Sequence, residues 1–128
     1  MIASAWLGRT VSARRALWSD KLERAAWILP FSVVAEMRFG AAIANWGPRR
    51  MTAMEQLIER TEIAPPLPAV ISAYVDLRPW CVRTGHGLGA KDHEADRWVA
   101  AVAMAANLPL ASEDTIFKAV DDLARLTP

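Results

Sequence analysis

Four acidic residues in three stretches hold the chemistry this chain has to offer. They are Glu36 in FSVVAEMRFGAA, Asp92 and Asp96 in KDHEADRWVAA, and Asp114 in LPLASEDTIF. They lie far apart in the chain, yet each borders an apolar segment. Strand ends and helix starts are where an α/β fold collects a polar site from distant residues. Carboxylates collected in this way repel one another and require a counter-charge. Hard divalent cations such as Mg²⁺ or Mn²⁺ supply it and favour oxygen ligands. The chemistry such a group suits is metal-assisted cleavage of a phosphodiester.

Each acid also has a simpler role open to it. Glu36 is followed by Phe39, Gly40 and Ile43 at i+3, i+4 and i+7, which places it on the helix side expected to be buried. It could equally be a first-turn glutamate favoured by the helix dipole. Asp96 is followed in the same spacing by Val99, Ala100 and Ala103. A carboxylate on an apolar face is costly unless it is paired or metal-bound. Asp92 falls one turn earlier on that face, as a ligand or as a helix N-cap. His93 and Glu94 are expected to point into solvent, and one histidine beside these acids does not make a zinc triad. Asp114 either caps the helix containing Ile116 and Phe117 or binds metal, with Glu113 as the neighbouring alternative.

The elements that must position these residues alternate. A helix is expected over about residues 3–26, a buried strand at 27–31 (WILPF), and a helix from 33 to 45 with Ser32 as N-cap. Asn45-Trp46-Gly47-Pro48 terminates it. A second helix, 48–61, carries Met51, Met54, Leu57 and Ile58 on one face. TEIAPPL at 61–67 reads as a short strand that its prolines confine to an edge or an end. A helix follows at 68–83, with Val70, Ile71, Tyr74, Val75 and Leu77 apolar. The loop TGHGLGAK has three glycines but is not a phosphate-binding loop, because Lys91 precedes Asp92. Then come a helix at 92–107, the strand LPLAS at 108–112 and a last helix at 114–120. Strands separated by helices imply βαβ crossovers and a mostly parallel sheet.

Composition sets the limits. The chain has 128 residues, a one-domain length, and is 53% hydrophobic with no low-complexity stretch. No apolar run approaches the roughly 20 residues of a spanning helix. The start, MIASAWLGRTVSARR, is apolar first and basic second, the reverse of a secretory signal. The one cysteine, Cys81, excludes an internal disulfide and a cysteine-rich zinc site, which suits a reducing cytoplasm. A net charge of +1 does not announce a nucleic-acid binder, although twelve of the fifteen basic residues are arginine, a type suited to phosphate. The six tryptophans serve either a core or a partner-binding surface.

Taken together these segments resemble the PIN-domain ribonucleases, in particular the VapC-type toxins of bacterial toxin–antitoxin operons. SVVAEMRFGA at 32–41, DRWVAAVAMAANLPLAS at 96–112 and DTIF at 114–117 carry the resemblance. NWGPRR at 45–50 and HGLGAKDHEADRW at 86–98 are similar to one subgroup. It covers nearly the whole chain. It implies one three-layer α/β/α domain with a mostly parallel sheet, and a Mg²⁺- or Mn²⁺-dependent ribonuclease with four acidic residues. The family's helix glutamate falls on Glu36, the aspartate of its D-x-W-[IV]-A-A segment on Asp96, and the acid after its LPL-[VA]-[ST] strand on Asp114. Asp92 is a further candidate ligand. The family opens with a strand ending in an aspartate, usually Leu-Asp-Thr. MIASAWLGR matches the part just after it, so the first strand and its ligand are expected to be encoded upstream of Met1.

The expected partners are an RNA substrate, a VapB-type antitoxin and a second copy in a homodimer. The competing reading is a catalytically degenerate PIN domain that serves as a protein-binding module. A different acid-rich nuclease or phosphatase fold is a weaker third.

Overall fold

The computed structural model describes residues 26–127, so the helix expected over 3–26, with Trp6 and Trp18, lies outside the described residues. The chain divides into two compact units, one ending at Ala64 and the other running from Pro65 to Thr127.

In the first unit, β1 (Ile28–Pro30) leads directly into α1 (Phe31–Ile43). The helix therefore starts earlier than expected. Pro30 is the N-cap residue, no side chain caps it, and Ser32 lies inside the first turn rather than at the cap. The end is as the sequence implies. Asn45 takes a left-handed φ of 51°, and the N–H groups of Asn45 and Trp46 donate back to the carbonyls of Ala42 and Ala41. That pairing satisfies the last orphan carbonyls of the helix. Pro48 then opens α2 (Pro48–Arg60) at a position where a missing N–H costs nothing. Met54 and Ile58 of α2 are buried, with Met51 and Leu57 half-buried beside them, as the spacing predicts. β2 (Glu62–Ala64) pairs parallel with β1, in register Leu29 to Ile63. Pro65 and Pro66 end it, because neither can donate to a ladder. Across the exposed side of the two helices, the Arg38 guanidinium forks onto both Glu55 oxygens at 3.1 and 3.0 Å.

The second unit is built on α3 (Pro68–Thr84) packed against α4 (Glu94–Ala106). Val70, Leu77 and Cys81 of α3 are buried, and so is every residue of α4 from Val99 to Ala103. The alanines of that run allow close helix approach. Both helices end on a left-handed residue, Gly85 and Asn107. Between them, one-turn 3-10 segments at Gly87–Gly89 and Lys91–His93 replace the open loop and the first turn of the expected helix. β3 (Leu110–Ala111) pairs parallel with β4 (Arg125–Leu126). The expected helix at 114–120 is only a 3-10 turn, Thr115–Phe117. Phe117 and Val120 bury themselves there, but Ala119 and Asp122 adopt positive φ, which stops a helix from propagating.

The fold is α/β, and every described strand pair is parallel, in two two-stranded sheets. No described helix is long and apolar enough to cross a membrane. The four described tryptophans are each half-buried. Trp46 lies under the Arg50 guanidinium, Trp80 donates to Asp121, and Trp98 stacks on Tyr74 at 3.7 Å.

Candidate active site

Three of the predicted acids, Asp92, Asp96 and Asp114, lie in the second unit, and Asp96 is hydrogen-bonded to a histidine. His93 is the residue immediately before α4 and Asp96 is in its first turn, so the two side chains meet at i and i+3. The His93 Nδ1–H donates to Asp96 Oδ2 at 2.8 Å. A carboxylate only accepts, which assigns the proton to Nδ1. The hydrogen bond to Asp96 holds the imidazole above its ordinary range; partial burial opposes this, and the charges of Asp92, Asp96 and Asp114 add to it. All three carboxylates thus act on one imidazole. The expectation that His93 points into solvent is overturned: its side chain is 33% exposed and paired. The i, i+3 spacing of His and Asp at a helix start was the signal for it.

Asp96 sits where the sequence places it. Val99, Ala100 and Ala103 below it are buried, and the carboxylate is half-buried at the edge of that face. Asp92 differs from expectation. It belongs to the 3-10 turn, is exposed, and does not cap α4. Asp114 follows β3 and caps the 3-10 turn, its Oδ1 accepting from the Ile116 N–H at 3.0 Å. Its own N–H donates to Ser112 Oγ at 3.1 Å, and Arg125 reaches its carbonyl at 3.4 Å. Among the described residues this cap uses one carboxylate oxygen, Oδ1. Glu113, half-buried, also has an interaction of its own.

Glu36 belongs to the first unit, on α1. Its predicted surroundings are wrong. Phe39 and Ile43 are 69% and 72% exposed, Gly40 is exposed too, and Glu36 lies on that exposed side. The buried residues of α1 are Val33, Val34 and Ala41. Spacing offered two apolar stripes on this helix, and the Val33–Ala41 stripe packs over β1 and β2.

The segment carrying Asp92 and His93 is held from behind by a residue the sequence reading passed over. Arg97 is 3% exposed, and its Nη1 donates to the carbonyls of Leu88 at 3.0 Å and Ala90 at 2.6 Å. The Ala90 carbonyl also accepts from the His93 N–H at 3.1 Å. Cys81 is buried in the core, where burial pushes its thiol up and the nearby Arg97 charge opposes this.

The PIN domain family matches this chain over residues 2–123. The chain belongs to the PIN-domain family. PIN domains are generally nucleases, and the family is typically dependent on a divalent metal. No curated relative matches in sequence. Among solved structures, the chain is similar to VapBC2 from Rickettsia felis bound to a DNA fragment from their promoter. The TM-score is 0.80 at 17% identity, over 98% of this chain and 92% of the other. It is similar to VapBC-1 from nontypeable Haemophilus influenzae at a TM-score of 0.78 and 19% identity, over 98% and 91% of the two chains. Likeness at that identity shows a shared fold.

Among the described residues no three His, Cys, Asp or Glu side chains form a ready metal cage. That disfavours a closed tetrahedral zinc site. It does not conflict with Mg²⁺, which keeps most of its waters and binds through one or two carboxylates. Single carboxylate donors of that kind are present. Asp96 and Asp114 each anchor one oxygen to the protein and leave the other without a protein hydrogen bond among the described residues.

Proposed function

We propose that this PIN domain is a metal-dependent endoribonuclease of the VapC toxin type, hydrolysing RNA phosphodiesters under the control of a VapB-type antitoxin. One observation carries the reading: Asp96, hydrogen-bonded to His93 at the start of α4, lies in the same unit as Asp92 and Asp114 in a chain of the PIN family. The family match runs through both compact units, which supports treating residues 1–128 as one domain.

Glu36, Asp96 and Asp114 are the catalytic and metal-binding residues in this reading, with Asp92 a further ligand candidate. Mg²⁺ or Mn²⁺, when bound, supplies charge stabilisation for the phosphate and acidifies water. Asp96 and Asp114 would each hold the ion through the oxygen that makes no protein hydrogen bond among the described residues. A neighbouring carboxylate takes the proton of the attacking water. The two solved neighbours are VapBC proteins, which supports a VapB-type partner. A homodimer and a cytoplasmic location complete the proposal.

The second reading, a degenerate PIN domain that only binds protein, draws on the lack of a three-ligand cage among the described residues. One assay separates the two. RNA cleavage with Mn²⁺, abolished by EDTA and reduced at least about 100-fold by Asp96→Asn, is the expected result for the nuclease. Folded protein with no Mn²⁺-dependent cleavage of any RNA tested would sink it and leave the binding module.

A further inference from the structure

We propose that His93 is a positioning residue for Asp96, fixing the rotation of the carboxylate that would hold the cation. This rests on the reading of Asp96 as a metal ligand given above. An aspartate's terminal torsion is broad and poorly restrained by its own rotamer preferences. A ligand that must be ordered on binding loses affinity to that ordering. Hydrogen bonds to the second oxygen of a ligating carboxylate remove the loss, and such outer partners tune metal sites. His93 is built for this. Its Nδ1–H holds Asp96 Oδ2 at 2.8 Å.

The histidine is itself fixed. Its backbone N–H donates to the Ala90 carbonyl, and the buried Arg97 grips that same carbonyl at 2.6 Å. Gly89, one residue earlier, lies so close to Cys81 that an added Cβ would come within 2.7 Å of the cysteine Cβ. A buried guanidinium and a close backbone contact therefore set the place of the imidazole, and the imidazole sets the carboxylate. Nδ1 carries a proton whether the ring is neutral or cationic, so the positioning does not depend on the charge of His93.

The test is Mn²⁺ binding, read from the EPR signal of the free ion, with circular dichroism and thermal melting on the same samples. Asp96→Asn is expected to lose most binding. His93→Ala is expected to weaken it by about 10-fold or more while the fold is retained. His93→Asn should restore it, because the asparagine Nδ2–H occupies nearly the place of the histidine Nδ1–H. Wild-type affinity in folded His93→Ala overturns the inference. So does a folded His93→Asn that binds as poorly as the alanine variant. If wild type and Asp96→Asn bind Mn²⁺ equally, or neither binds, Asp96 is no ligand; the metal reading itself then fails and takes this inference with it.

Discussion

His86 and His93 flank one glycine-rich segment and carry their protons on opposite ring nitrogens. The Leu88 N–H donates to His86 Nδ1 at 3.0 Å, so the His86 proton is on Nε2, which donates to the Lys118 carbonyl at 2.7 Å. His86 thus uses both nitrogens to lock backbone to backbone. His93 uses Nδ1 to hold a carboxylate and has three acids acting on it. One ring accepts a backbone N–H at Nδ1, where the other donates. The other gains from charge. The same residue type serves as a fastener at one end of a short segment and as part of a polar site at the other, and the partners alone decide which.

Arg97 joins the two regions, so its loss should produce the largest stability change. Arg97→Met keeps much of the volume but takes the guanidinium from the Leu88 and Ala90 carbonyls, leaving Ala90 with the His93 N–H. A loss of about 2–4 kcal/mol is expected in urea unfolding. A change within error would mean that water replaces the guanidinium without cost, and the link between the two histidines would be lost as an explanation.

Gly89→Ala probes the same segment from its other side. The new Cβ would meet the Cys81 Cβ at 2.7 Å, and overpacking of this kind costs about 1–3 kcal/mol. Cys81→Ala should give no relief in the double variant, since the clash is with the Cβ itself. Cys81→Gly should relieve part of it, and thermal melting of the three variants would decide.

His86→Ala should cost about 1–2 kcal/mol through two lost hydrogen bonds. Its Mn²⁺ affinity should stay close to that of wild type. Equal effects of His86→Ala and His93→Ala on both stability and metal binding would erase the distinction between the two rings.

The smallest effect is the pH dependence of the His93 pair. Its folded pKa is raised, so its contribution is fully present below the ordinary imidazole value of about 6.5 and is lost as pH rises through the folded value. The melting-temperature advantage of wild type over His93→Asn should therefore shrink from mildly acidic to mildly alkaline pH. The pair is about one-third exposed, so salt should screen this difference. An advantage that grows with pH would contradict the assignment.

Local rules carried well where a residue answers to its neighbours in sequence. Asn45, Pro48 and Asn107 punctuate the helices where their backbone preferences predict. Val99, Ala100 and Ala103 are buried as their spacing implies. They failed where two answers were locally equal. Helix α1 has apolar residues on both sides, and spacing cannot say that Phe39 and Ile43 face outward. They failed again at 114–120, where a helical pattern was stopped by positive-φ residues at 119 and 122.

The sequence alone determined the family, the order of elements, and Asp96 and Asp114 as candidates at a helix start and a strand end, because these depend on residue type and short-range periodicity. Tertiary structure alone decided that Arg97 is a buried clamp and which stripe of α1 is covered. A side chain's partner is set by what the fold brings within about 3 Å of it, and that distance is not written in any local run of residues.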